Sequence, residues 1–292
     1  TNPEAAAKIF ALKGRPPDHP LIVHIAGIES LGQWAVEAPS AAFALAERFW
    51  PGPLTMILKK SARVPASVTG GQDTVGLRCP SHPMAQELLR EFARVGSGAI
   101  AAPSANRFGH VSPTTAQHVL DEFGPELFVL DGGACEVGLE STIVDLSRGG
   151  AVLLRPGAVT REDIARVMGA EPRARDAEAP RASGTLAAHY APRTALTLLG
   201  IEAIELEVQS LRNVAVLALG DAPYTARVTS WIAAGGDPAR YGHDLYANLR
   251  TLDDSGAKLI LVEAPPDTAQ WEAVNDRLSR AAAGAGLVDD EP

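Results

Sequence analysis

Cysteine is nearly absent: Cys79 and Cys135 are the two in 292 residues. Their separation matches no metal-ligand spacing, and two residues cannot build the disulfide framework of a small secreted domain. Long apolar runs are missing too. No stretch approaches about 18 uninterrupted apolar residues, so no membrane-spanning helix is expected. No signal peptide is visible, and the cytoplasm is the expected compartment. The chain opens on Thr1 rather than methionine, which suggests that the native start is missing. Positive charge is scarce: 26 Lys and Arg against 35 Asp and Glu give a net charge of −9. That balance argues against a protein that grips nucleic acid by bulk electrostatics. The sequence also lacks a GxxxxGKS/T loop, a GxSxG elbow, an HExxH helix and a CxxC pair, so no nucleophile with an obvious base is in view.

What remains is the composition of an ordinary globular protein, 46% hydrophobic and 21% charged, long enough for two domains. Its centre is the stretch AIAAPSANRFGHVSPTT, residues 99–115. The apolar start reads as the end of a buried strand, which Pro103 stops because proline has no N–H for the ladder. Ser104 and Asn106 follow at i and i+2, which in extended backbone places both on one face. Ser112 and Pro113 then have the form of an N-cap and first helical residue, opening a helix to about Phe123. Strand end, polar turn and helix start together can hold a phosphate or carboxylate. A plain strand–loop–helix connection, with serines that only cap, reads as well.

Upstream, Asn2 and Pro3 open a helix over 3–12 that delivers Lys13 and Arg15, two apart around Gly14, able to converge on one anion or to stand as solvated surface charge. Strands are expected at 21–25, interrupted by His24, at 54–60 and at 74–78, where Arg78 closes an apolar run as a carboxylate or phosphate ligand would. Helices are expected over 28–49 with a break at Pro39, 83–94 and 160–169. Further strands are expected at 127–131, within 138–145 where Ser141 and Thr142 sit at the entry to an apolar run, and at 151–157, where Arg155 closes the run. Residues 170–185, rich in Pro, Ala, Arg and Glu, read as a linker. Beyond it, strands near 196–200, 214–220 and 258–265 alternate with helices to 211, near 225–254 and over 268–283, the pattern of a small parallel α/β domain.

The ordered motifs carry a specific resemblance. Lys13-Gly14-Arg15-Pro16 with Pro20-Leu21-Ile22-Val23-His24, Pro103-Ser104-Ala105-Asn106, Gly138 to Asp145, and Leu154-Arg155-Pro156-Gly157 resemble the YrdC-like family. Ser183-Gly184-Thr185 through His189-Tyr190-Ala191-Pro192-Arg193 resembles the linker of its two-domain branch, the threonylcarbamoyl-AMP synthases. The resemblance is dense over 1 to about 195 and one of layout beyond. It implies a YrdC-like twisted mixed sheet with flanking helices and an anion-binding concave face over 1–170. A linker over 171–194 and a smaller, Rossmann-like parallel α/β domain over 195–292 would follow. The family's Pro-Thr-Glu-Thr-Val-Tyr-Gly segment, expected just before Asn2, is missing from this sequence, and His19 stands where asparagine is common.

The activity implied is formation of threonylcarbamoyl-adenylate and pyrophosphate from L-threonine, bicarbonate and ATP, with Mg²⁺ on the triphosphate. The product would pass to a downstream tRNA-modifying complex; neither stable nucleic-acid binding nor a membrane is expected. Carried over residue by residue, Arg15, His19, Thr74, Ser104, Ser112 and Arg155 would face ATP, with Lys13 and Asn106 supporting the phosphates. His24, Arg78, Ser141 and the backbone near Ala102 would hold threonine. Tyr190 would dock over the nucleotide and exclude water from a labile mixed anhydride, or else pack between the domains. No residue is expected to bind a metal directly. Two alternatives stay open: an RNA-binding YrdC-like module, and a carbamoyl-transfer domain of hydrogenase-maturation type.

Overall fold

Residues 2–223 and 227–286 are described by a computed structural model of the chain. The chain forms two compact units: residues 1–103 with 140–185, and residues 104–139 with the chain from 186 onward. Residues 104–139 thus pack with the C-terminal part of the chain, although their motifs precede the sequence boundary expected near 170.

In the first unit, α1 (Pro3–Lys13) is capped by the Asn2 side chain and closed by Gly14 in the left-handed region. The strands β1 (Ile22–Ile25), β2 (Leu54–Lys59), β3 (Thr74–Arg78), β4 (Ala99–Ala101), β5 (Thr142–Asp145), β6 (Val152–Arg155) and β7 (Arg173–Ala174) form one mixed sheet in the order β4-β1-β3-β2-β5-β6-β7. Alternation sorts the side chains by face. Val23, Ile25, Leu54, Met56, Leu58, Val75, Leu77 and Val144 share one buried cluster with Phe10, Leu45 and Ile164. These last three come from α1, α3 (Ser40–Phe49) and α7 (Arg161–Met168). The opposite face receives His24, Thr55, Ile57, Thr74 and Arg78. Short helices α2 (Leu31–Trp34) and α4 (Ala66–Thr69), and the amphipathic α5 (Pro83–Val95), complete the unit.

In the second unit, β8 (Leu196–Leu199), β9 (Val214–Ala218), β10 (Ser230–Ala233) and β11 (Leu259–Glu263) form an all-parallel sheet in the order β10-β9-β11-β8. Val216 and Leu261 on one face pack with Ile204 and Val208 of α8 (Ile201–Ser210). Leu217 and Ile260 on the other pack with Tyr241, Leu245 and Leu249 of α9 (Pro238–Asp253) and Leu278 of α10 (Glu272–Gly284). The helix α6 (Ala116–Phe123) belongs to this unit.

Four expectations change. The helix after Pro113 starts three residues later, because Thr115 rather than Ser112 caps it by accepting from the His118 N–H. Residues 127–131 form no strand: Phe128 and Leu130 are 87% and 53% exposed. A run of β-formers becomes a strand only where a neighbour accepts its hydrogen bonds. The region expected as helix near 225–254 contains β10 before α9, since Trp231 and Ile232 pair in register with β9; residues 225 and 226 of that expectation lie outside the described residues. Finally, the stretch read as a linker lacks helical period yet is packed. Ala182 is buried on the first unit's sheet with Ile57 and Ile143.

Gly138 sits at φ +81, and a Cβ there would fall 2.2 Å from the backbone oxygen of His243; Gly133 has φ +86 and open space. Both alanine substitutions carry the left-handed cost of about 1–3 kcal/mol, but only Gly138→Ala adds a backbone clash. Gly138→Ala is expected to lower the melting midpoint markedly more than Gly133→Ala. Equal shifts would contradict this packing.

Candidate active site

Register, not sequence proximity, assembles the first group of polar residues. His24 of β1 is paired with Arg78 of β3, and Arg78 with Thr55 of β2. Directly paired residues on neighbouring strands share a face, so the three stand in one row across the sheet. The Thr55 hydroxyl is 2.7 Å from that of Ser141, just before β5. The pairing of β5 with β6 shifts between Ile143 and Val144 and sets Arg155 opposite Ile143. A bulge re-aims side chains in this way, here bringing the arginine to the Ser141 end of the row. Its Nε and Nη2 donate to the Ser141 carbonyl at 3.1 and 2.8 Å, and Nη2 to the Ser141 hydroxyl at 3.2 Å.

The row holds two kinds of charge behaviour. Arg78 donates from Nε to the Gly52 carbonyl at 3.2 Å, which fixes its planar fork at the strand end. The neighbouring imidazole of His24 has its pKa pushed down to about 4, first by burial and then by the Arg78 guanidinium. Its Nδ1 lies 3.3 Å from the Ile100 carbonyl. A carbonyl only accepts, so the neutral ring carries its proton on Nδ1 and keeps a lone pair on Nε2. A cation beside a neutral acceptor suits the carboxylate and amino ends of an amino acid. Ala102 donates its N–H to the Ile22 carbonyl at 3.0 Å, continuing the strand contact past β4.

The basic pair at the end of α1 is not solvated surface charge. Lys13 and Arg15 are 5% and 6% exposed. Gly14 turns the chain, and Arg15 then donates to the Pro20 carbonyl at 2.8 Å and to the Ser183 hydroxyl at 3.3 Å. Arg155 donates to the Ser183 carbonyl at 2.9 Å. Two buried guanidinium groups therefore meet at one residue of the stretch read as linker. His19, on the same loop, has its pKa lowered, first by burial and then by Arg15. Thr74 is buried at the start of β3 and lines, with Thr55, Gly76, Ala182 and Ser183, a cavity of about 20 Å³, space for a single water.

Ser104, Asn106, Ser112 and Tyr190 lie in the second unit. The backbone bends at Ala105 and Asn106, so the one-face argument for Ser104 and Asn106 in extended backbone does not apply. Asn106 is 1% exposed and folds back, donating from Nδ2 to the Arg107 and His110 carbonyls at 2.6 and 3.1 Å. Ser112 is also buried. Tyr190 is fully enclosed, its ring 5.5 Å from that of Tyr246 and 5.3 Å from the Arg277 guanidinium.

Three contributors were given no site role by the sequence. Thr55 stands out only as the hydroxyl in the otherwise apolar run LTMIL that opens β2. Ser183 lies in a stretch with no period to mark it. Glu122 looks like one more charge on an exposed helix but is 8% exposed at its side chain and accepts from His110 at 2.7 Å.

The lowered pKa of His24 sets a pH dependence. The unfolded ring binds a proton at about 6.5 and the folded one at about 4, so stability is full above the first value and falls toward the second. His24→Gln is expected to flatten the fall in melting midpoint between these limits. A wild-type imidazole that titrates near 6.5 by NMR would contradict the buried, neutral ring.

Comparison with known proteins shows the family to which the chain belongs. The family model described as "Telomere recombination" matches residues 1–157, and that described as "Threonylcarbamoyl-AMP synthase, C-terminal domain" matches residues 159–283. The threonylcarbamoyl-AMP synthase of Pyrococcus abyssi (strain GE5 / Orsay) is 38% identical over 292 residues, covering 95% of this chain and 84% of its own length. That of Bacillus subtilis (strain 168) is 38% identical over 297 residues, covering 97% and 85%. A structure of P. abyssi Sua5 with one histidine and one tyrosine changed to alanine matches with a TM-score of 0.87 at 36% identity, over 97% of this chain and 84% of that one. The crystal structure of P. abyssi Sua5 complexed with L-threonine matches with a TM-score of 0.86 at 37% identity, over 96% and 85%. With both models matched in order and full-length relatives at this identity, the chain belongs to the threonylcarbamoyl-AMP synthase family.

Proposed function

We propose that this chain makes L-threonylcarbamoyladenylate and pyrophosphate from L-threonine, bicarbonate and ATP, acting as a nucleotidyltransferase whose product serves threonylcarbamoyl-adenosine modification of tRNA. The observation that carries this reading is the cross-strand row in which Arg78 stands beside a neutral His24, with Thr55, Ser141 and Arg155 in line. It offers a carboxylate clamp and an uncharged acceptor for an amino group on one sheet face. The relative crystallised with L-threonine supports threonine as a substrate.

In the proposed reaction, the amino nitrogen of threonine bonds to the carbon of bicarbonate with loss of water, giving a carbamate. A carbamate oxygen then displaces pyrophosphate at the α-phosphorus of ATP. No protein nucleophile is required, and positioning with charge stabilisation supplies the catalysis. We assign threonine to His24, Arg78, Ser141 and the backbone at Ala102, and extend the set to Thr55. We assign phosphate charge to Lys13, Arg15 and Arg155, with His19 and Thr74 as further ATP contacts. Ser104, Asn106 and Ser112 are the second unit's nucleotide residues; Tyr190 reaches ATP only in an arrangement other than this enclosed one. Among the described residues no three His, Cys, Asp or Glu side chains cluster as a metal cage. We propose that Mg²⁺ arrives with ATP, held by triphosphate oxygens and water. With no described helix long and apolar enough to cross a membrane and no disulfide framework, we place the reaction in the cytoplasm.

Pyrophosphate release that needs ATP, threonine and bicarbonate together tests the reading. Salt-sensitive RNA binding without that release would replace it with the RNA-binding alternative. Arg78→Ala is expected to raise KM for threonine far more than KM for ATP, by the roughly 2–5 kcal/mol of a lost buried charge contact. Equal increases in both would remove Arg78 from the threonine site.

A further inference from the structure

The loop over 106–111 is held by residues far along the chain. The Glu122 carboxylate accepts from the Arg107 N–H at 2.8 Å and from His110 Nδ1 at 2.7 Å. Arg250, near the C-terminal end of α9, uses a single nitrogen for two contacts: Nη2 donates to the Val111 carbonyl and to Glu122 at 3.2 Å. The Ala191 N–H donates to the Gly109 carbonyl at 2.8 Å. From inside, Asn106 ties the Arg107 and His110 carbonyls together. Val111 packs into the cluster of Tyr246 and Leu249, beside Arg250 on the same helix.

The ion pair is buried. The Arg250 and Glu122 side chains are 16% and 8% exposed. Burial would raise the carboxyl pKa, but the His110 contact, the Arg107 N–H and Arg250 outweigh it and hold the group at about 2. Glu122 is therefore charged at any working pH, and removing its cation leaves that charge in a poor solvent. Arg250 falls within the stretch matched by the C-terminal family model, whereas residues 106–112 fall within that matched by the N-terminal one.

We propose that Arg250 is a positioning residue for the nucleotide loop: through Glu122 and the Val111 carbonyl it fixes the backbone between Asn106 and Ser112. This rests on the assignment of Asn106 and Ser112 to ATP made above. It gives the C-terminal part of the chain a role in the reaction without contact with substrate. The five residues assigned to threonine, His24, Thr55, Arg78, Ala102 and Ser141, belong to the other compact unit, so the effect is selective for nucleotide.

The test compares Arg250→Met, which keeps the apolar stem, with Arg250→Lys, whose one ammonium can replace the one nitrogen that makes both contacts. Arg240→Ala, an exposed site on the same helix, is the control. In the full chain, Arg250→Met is expected to raise KM for ATP about tenfold, since small displacements of positioning groups far from the chemistry have large effects. It should leave KM for threonine within about twofold. Arg250→Lys should restore most of the loss, and Arg240→Ala should behave as wild type. Amide exchange of residues 107–111 should quicken in Arg250→Met and recover in Arg250→Lys. An unchanged KM for ATP with unchanged exchange overturns the proposal. So does a parallel rise in both KM values with a lowered melting midpoint, which marks a purely structural role. If the wild type releases no pyrophosphate, the functional reading fails, and amide exchange alone decides whether Arg250 fixes the loop.

Discussion

The period of two along the strands is the constraint on which the first unit depends. Because Val23, Ile25, Leu54, Met56, Leu58, Val75 and Leu77 must all face one core, the alternate positions are committed to the other face. There His24, Thr55 and Arg78 come abreast by pairing alone. A slip of one residue in β3 would bury Arg78 among leucines and expose Val75 and Leu77, so the core defends the register of the site. The register shift between β5 and β6 brings Arg155 to the face that strict alternation would deny it.

Buried charge is the second theme. Lys13, Arg15 and Arg155 are nearly enclosed, and a buried cation is tolerated only with hydrogen-bond acceptors around it. For the two arginines the carbonyls of Pro20, Ser141 and Ser183 supply them. Carbonyl dipoles hold a guanidinium without cancelling its charge, which leaves the positive field available to an anion. In the second unit the logic is inverted. Glu122 accepts from His110, from the Arg107 N–H and from Arg250, so its carboxylate is committed to the loop rather than to a ligand.

Much of this was legible in the sequence, but unevenly. Strand β3 and the helix that delivers Lys13 and Arg15 follow from apolar runs, an Asn-Pro start and a glycine stop, all local signals. Arg78 and Arg155 were visible because each ends an apolar run. Thr55 was not, since its importance comes from the register of three strands, a non-local property. Asn106 was visible as a polar residue, but its inward turn was not, because the bend depends on acceptors within the loop and on Glu122. Ser183 and Ala182 were hidden by composition: alanine, proline and arginine look like a linker until a sheet face is present to receive them. The failed strand at 127–131 makes the converse point, since β-propensity without a partner edge yields exposed chain. The association of residues 104–139 with the C-terminal part rests on contacts such as Arg250 with Glu122, across a separation that no local pattern reports.

The central claim is that one cross-strand row forms the amino-acid site. A crystal structure of this chain grown with L-threonine tests it most directly. The account predicts the threonine carboxylate on the Arg78 guanidinium and its amino group within hydrogen-bond distance of His24 Nε2, with Thr55 and Ser141 alongside. Threonine bound away from that row, with no contact to the Arg78 guanidinium, would contradict it.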